Sequence, residues 1–305
     1  MATGAPASPL PEFPDESQGV QRPLGLWRGG PEGQSPSALP RRALLALPAL
    51  LLPRPARAVS FPDRGLTQGG FVLGQAAPGT RLALDGRVVR VSAEGAFAFG
   101  FGRDHAAASV LAVTQPGQRP EERRLAVARR QWQEQRISGL PPAQVTPDEA
   151  TLARILRERE RLGVARATDS ALTGFAQGFT APATGRISGV FGSRRVLNGQ
   201  PRQPHYGLDF AVPTGTPMLA AAAGRVTLAA SFHFFGDLVV IDHGHGVNTL
   251  YAHLSRIDVQ EGQVVGRGER IALSGATGRV TGPHLHFSLS WYQVWLDPQP
   301  VVLGA

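Results

Sequence analysis

From residue 183 onward the chain contains no apolar run long enough or periodic enough to form a helix. Short apolar stretches at 218–223, 238–241, 247–251, 264–265, 271–273 and 285–289 alternate with glycine-rich turns. Runs of this length between turn formers read as strands, and their spacing reads as an all-β domain of many short strands. Alternation along such strands sends every second side chain to the same face, so polar residues two apart inside an apolar run stand out.

Histidine supplies them. Seven of the eight histidines lie between positions 205 and 286, at 205, 233, 243, 245, 253, 284 and 286. Clustering of this kind marks ligands or proton-transfer groups. His284 and His286 in "GPHLHFS" project together from one strand while Leu285 and Phe287 point into apolar packing. His205 and Asp209 in "HYGLDF" are four apart, but Pro204 and Gly207 argue against a helix, so they belong to a turn that leads into the strand "LDFAV". Each half alone arises by chance, and a His-x-His pair can be two hydrogen-bonded strand histidines. In order and flanked by glycines, the halves supply a three-ligand site with a spare histidine. A hydrolytic zinc site uses three nitrogen or oxygen ligands and an open fourth position. The chain has no cysteine, which removes thiolate structural zinc sites and favours the open, catalytic type.

The text from about 183 to 298 resembles the lysostaphin/LytM-type zinc metallopeptidases, which cut peptidoglycan cross-links. The matching stretches are "GRISGVFGSRR", "HYGLDFAVPTGTPMLAAAAGRV", "GDLVVIDHGHGVNTLYAHLS" and "VQEGQVVGRGERIALSGATGRVTGPHLHFSL". The resemblance implies the duplicated hybrid motif fold, an antiparallel β-sheet domain with a substrate groove along the sheet. It implies one Zn2+ held by His205, Asp209 and His286, with His253 of "YAHLS" and His284 as two non-ligand catalytic histidines. Zinc of this kind lowers the pKa of bound water to about 7 and polarises the scissile carbonyl. No His-Glu-x-x-His helix provides a glutamate base, so proton traffic and oxyanion stabilisation fall to His253 and His284, in either order. His243 reads as a structural residue at a strand-to-turn junction and Asp242 as a turn former. His245 and His233 read as solvent-facing, His233 with the option of lining the groove, and His105 reads as a surface residue.

Competing classes fail on composition. "GQVVGRGERIALSG" resembles the hairpins of lipoyl and biotinyl carrier domains, but those attach their cofactor to lysine, and all 31 basic residues here are arginine. A formal charge of +8 suits nucleic acid, anionic lipid or anionic cell wall. The arginines are scattered and no recognition-helix or aromatic-platform signature accompanies them, which excludes nucleic acid. The expected partners are peptidoglycan stem peptides. A different class remains, a non-catalytic regulator that activates a partner cell-wall amidase or joins the division machinery; members of that kind typically lose zinc ligands, and the set here is intact.

The N-terminal region reads in four pieces. Residues 1–40 hold eight prolines and many Gly and Ser, the composition of a disordered leader or of a start assigned too far upstream. Residues 41–58 place Arg41 and Arg42 before "ALLALPALLL" and end in "ARA", a signal peptide, or an inner-membrane anchor if left uncleaved. The expectation is an exported protein of the periplasm or cell envelope. Residues 59–136 alternate in a pattern that predicts a small β-sandwich acting as a spacer or wall-docking domain. Residues 137–182 read as a linker with a helix over 147–162, capped by Thr146, with Pro147 at its first position, Glu149 completing a capping box and Gly163 as its stop. Residues 183–305 make up the catalytic domain.

Overall fold

The computed structural model describes residues 59–137, 148–197 and 200–304. The leader and signal readings for 1–40 and 41–58, and the capping residues Thr146 and Pro147, lie outside them. The chain begins its described course with strands β1 (Phe71–Gln75), β2 (Arg81–Leu84), β3 (Arg87–Val89), β4 (Ala96–Gly100), β5 (Ala108–Thr114) and β6 (Glu121–Ala126). β1 pairs with β4, and the remaining four form an antiparallel sheet in the order β3-β2-β5-β6. Alternate residues enter a shared core in which Phe97, Phe99 and Phe101 face Val72, Leu82, Leu111 and Val113. Phe61 seals its edge, its ring 5.6 Å from that of Phe99.

Strand β7 (Glu134–Ile137) leaves this region and runs parallel to β9, described below, crossing the 136/137 boundary drawn from sequence. Helix α1 then spans Glu149–Arg166. Its limits differ from the expected 147–162 at both ends. Asp148 is the cap, its carboxylate accepting the Thr151 N–H at 2.7 Å, because an N-cap needs a short acceptor one residue before the first helical turn. At the other end Gly163 does not stop the helix. Leu162 and Ala165 on either side of it bury against Leu228, Leu238, Val240 and Leu250 of the large sheet. Burial of that apolar area outweighs the cost of about 1 kcal/mol for a helical glycine.

The strands that follow are β8 (Arg186–Gly189), β9 (Arg194–Leu197), β10 (Gln200–Arg202), β11 (Leu208–Ala211), β12 (Pro217–Leu219), β13 (Gly224–Phe232), β14 (Gly236–Gly244), β15 (Val247–Ile257), β16 (Val264–Val265), β17 (Arg270–Ser274), β18 (Leu285–Trp291) and β19 (Val294–Leu296). A short helix, α2 (Gln299–Val302), ends the described chain. Among the described residues β9 joins β10 and β7 in one sheet, and the others build a ten-stranded antiparallel sheet. Its central path runs β16-β13-β14-β15-β18-β11-β8, with β12, β17 and β19 attached at the sides. The mostly β architecture agrees with the all-β reading.

Both faces of this sheet are covered. Val239 and Ile241 of β14, Tyr251 of β15 and Phe287 of β18 enter one core with Leu208, Phe210 and Met218. Their neighbours Leu238, Val240, Leu250 and Ala252 point to the opposite face, where α1 packs. The β1–β6 region adds its own core to the edge of the sheet through Val247, Leu289, Trp291 and Leu296. Arg130 and Asp297 form an ion pair across this junction at 2.7 Å. A Cβ at Gly100 would stand 2.5 Å from Leu296, so glycine there permits the close approach. No helix among the described residues is long and apolar enough to cross a membrane.

Candidate metal centre

The site grows from strand alternation. In β18, Leu285, Phe287 and Leu289 face apolar cores, which turns His286 and Ser288 to the other face. In β11, Leu208 and Phe210 do the same and leave Asp209 on that face. Register completes the pairing, since Asp209 stands directly opposite His286 in the β11–β18 ladder. His205 precedes β11 in a loop held by two backbone bonds, its N–H to the Ser193 carbonyl at 2.9 Å and its carbonyl from the Gly192 N–H at 2.7 Å.

Three ligand-type atoms converge here. His205 Nε2 lies 3.0 Å from Asp209 Oδ1 and 2.9 Å from His286 Nδ1, and His286 Nδ1 lies 2.9 Å from Asp209 Oδ1. All three residues are buried. The outer partners set the tautomers. His205 Nδ1 faces the Val190 carbonyl at 3.0 Å, which only accepts, so Nδ1 carries the proton and Nε2 presents its lone pair inward. Ser288 Oγ donates to the Tyr206 carbonyl at 2.7 Å and is left to accept from His286 Nε2–H at 2.9 Å. His286 Nδ1 therefore presents a lone pair as well. Two imidazole lone pairs and a carboxylate oxygen aimed at one buried point repel one another unless a cation sits among them. The donor set, two nitrogens and one oxygen, is that of a three-ligand zinc site.

Two glycines make the room. A Cβ at Gly189 would fall 2.2 Å from Asp209 Oδ2, and one at Gly207 would fall 2.5 Å from His286 Cε1. Burial pushes the Asp209 carboxyl up, and only positive charge beside it, from His205 and His286 when protonated, pulls its pKa well below the usual carboxylate range; with the tautomers above, that charge is left for a cation to supply.

His253 and His284 stand beside this cluster and outside it. Their ring centroids are 4.7 Å apart, and His253 is 6.0 Å from His286. His284 occupies the same strand phase as His286, as the sequence predicts. His253 does not reach the site by phase. Tyr251 pairs with Val239 and Leu254 with Asp237, so Ala252 and His253 together oppose Leu238. This is a β-bulge, and His253 adopts φ +64° within it. Tyr251 and Leu254 both enter the apolar core, while the bulge turns the intervening His253 onto the metal-centre face. Both rings carry their proton on Nδ1, donated to the Thr277 carbonyl by His253 and to the Gly282 carbonyl by His284, each at 2.9 Å. Nε2 of each is the unprotonated nitrogen. Burial, followed by the neighbouring His286 and His284, pushes His253 down to about 3.

The other histidines divide differently from expectation. His243 is interior, with Nδ1 2.9 Å from the Ala223 carbonyl and Nε2 2.7 Å from Thr249 Oγ1, and burial pushes it down to about 4. Asp242 accepts the Gly244 N–H at 3.0 Å, the bond of a turn former. His245, expected in solvent, is buried: at φ +52° its ring packs 4.9 Å from Phe175. The chain segment before β8 folds over the β14–β15 turn and covers it. His105, expected at the surface, is half-buried against Phe101 and bonds Ser109. His233 is half-buried, and its N–H donates to Glu158 of α1 at 2.8 Å. Sequence reading missed Ser288, whose one signal is its place two residues after His286. It also missed the carbonyls of Val190, Thr277 and Gly282, which carry no side-chain signal at all.

Comparison with known proteins places this geometry in context. The description Peptidase family M23 matches residues 203–298. The peptidoglycan DD-endopeptidase ShyA of Vibrio cholerae is 50% identical over 105 residues, 34% of this chain and 24% of that protein. The DD-carboxypeptidase/endopeptidase Mpg of Neisseria meningitidis is 45% identical over 116 residues, 38% of this chain and 26% of that protein. The matches thus span about a quarter of the length of these curated relatives. A crystal structure of an M23 peptidase from Pseudomonas aeruginosa superposes with a TM-score of 0.62 at 31% identity, covering 79% of this chain and 96% of that one.

Proposed function

The chain belongs to peptidase family M23, and on that premise we propose that it is a zinc-dependent endopeptidase hydrolysing the peptide cross-links of peptidoglycan in the cell envelope. The observation that carries the reading is the convergence of His205 Nε2, Asp209 Oδ1 and His286 Nδ1 within 3.0 Å of one another, with both imidazole tautomers set from outside. Those three residues are the ligands. Zinc bound there supplies Lewis acidity, polarising a peptide carbonyl and bringing the pKa of water near neutrality.

The remaining work belongs to the protein. His253 and His284 each hold an Nδ1–H on a backbone carbonyl, so each offers Nε2 as a proton acceptor beside the ligands. One takes the proton of the attacking water, and the N–H so formed donates to the developing oxyanion or the leaving amine. The bulge at His253 and the strand phase of His284 bring the two rings to the side of the sheet that carries the ligands, which supports this assignment. Export is supported by the signal pattern at 41–58, and the cross-link type by relatives named as DD-endopeptidases.

The test is metal analysis of the purified full chain together with digestion of isolated sacculi, with His284→Ala as the control. The expected result is one zinc per chain and new free amines from the wild type alone. Metal-free protein and unchanged muropeptides would overturn the reading in favour of a non-catalytic activator of an amidase.

A further inference from the structure

The sheet face that carries the metal centre continues into a pair of aromatic rings. Trp295 of β19 stands opposite Ser290 of β18 in the antiparallel register. Ser290 shares its strand face with His286 and Ser288, so the indole lies on the metal-centre side of the sheet. It packs there against the apolar cluster that lies beneath α1 and stays partly exposed. Tyr206, next in sequence to His205, sets its ring almost parallel to the indole, at 14° with centroids 6.4 Å apart. Arg166, buried at the end of α1, holds its guanidinium 3.4 Å from the indole centre. A cation seated on one face pins the indole as a rigid plate.

We propose that Trp295 and Tyr206 form a sugar subsite, on which an N-acetylated amino-sugar ring of the glycan strand stacks while its stem peptide reaches the metal centre. The inference rests on the peptidoglycan reading given above. Pyranose rings present an apolar C–H face and a polar rim, and partly exposed Trp and Tyr match both. Ser290 follows His286 by four residues on β18, so at strand rise the backbone of Trp295 is displaced ~13 Å along the sheet from that of His286. A stem peptide that runs along β18 from the ligands has its sugar end on the side where the aromatic pair stands.

The test compares the full-length wild type with Trp295→Leu on two cross-linked stem-peptide dimers, one bearing its disaccharides and one stripped of them. The expected result is a fall of about tenfold, carried by KM, in the ratio of kcat/KM for the sugar-bearing over the bare dimer. An unchanged ratio overturns the subsite, whatever happens to the absolute rates. If the wild type cleaves neither dimer, the peptidase reading fails instead. The subsite is then judged by titrating wild type and variant with the free disaccharide: quenching of tryptophan emission in the wild type alone supports it, and no response overturns it. Should Trp295→Leu fail to fold, competition between the free disaccharide and the sugar-bearing dimer in the wild type decides. Inhibition supports the subsite, and its absence at millimolar disaccharide overturns it.

Discussion

Ser288→Ala separates the role of an outer partner from that of a ligand. The hydroxyl is buried, accepts from His286 Nε2–H at 2.9 Å and donates to the Tyr206 carbonyl at 2.7 Å. Its removal takes one hydrogen bond from each of two groups, with different consequences. The bond to the Tyr206 carbonyl is lost with or without metal, so its worth of ~0.5–1.5 kcal/mol falls on folding stability alone. His286 Nε2–H is needed only for the tautomer that offers Nδ1 to a metal. Without Ser288 the opposite tautomer competes, and losses of this kind lower metal affinity by about 10–100-fold, or ~1.4–2.7 kcal/mol. Zinc affinity is measured by competition with a chromophoric chelator near pH 7.4, and stability by urea unfolding of the metal-free protein. The expected outcome is a Kd raised at least about tenfold together with a modest stability loss. Ser290→Ala, on the same strand face but outside the ligand network, serves as the control. A Kd for Ser288→Ala within twofold of the wild type, or an equal loss in Ser290→Ala, would refute the tautomer argument.

Three further outcomes are expected. Gly189→Ala places a methyl 2.2 Å from Asp209 Oδ2, so zinc occupancy measured by mass spectrometry falls sharply while the far-UV circular dichroism spectrum is retained. Asp148→Ala removes the cap of α1 and lowers the midpoint of urea unfolding; an unchanged midpoint would mean that α1 is held by its packing alone. His243, down at about 4 in the fold against ~6.5 unfolded, makes the unfolded chain the better proton binder between these values. Its contribution to stability is complete above ~6.5 and is lost as pH falls toward 4, to the extent of ~3 kcal/mol. Unfolding of the metal-free protein between pH 4 and 7 measures this slope, and His243→Gln flattens it.

How much of this was legible follows from the range over which each signal acts. Strand phase is local, so "HLHF" and "LDF" reveal in text which side chains share a face, and the register of β11 with β18 then brings Asp209 against His286. The helix ends were not legible, because Gly163 is a stop by propensity and only the sheet beneath Leu162 and Ala165 overrides it. His245 was misread for the same reason: a polar residue in a glycine-rich turn looks solvated until the segment around Phe175 is known to cover it.

The sequence by itself determined the donors: which residue types, in which strand phase, stand ready to hold a cation, with no cysteine or lysine to permit other chemistries. Tertiary structure decided what makes those donors usable. In an unbroken strand His253 would share the core face of Tyr251, and only the bulge opposite Leu238 turns it toward the ligands. The tautomers of His205, His253 and His284 are set by backbone carbonyls, and that of His286 by a serine, so their lone-pair directions depend on where the chain passes. Phase repeats every two residues and can be read from text, whereas a bulge and a carbonyl's direction exist only once distant strands have met.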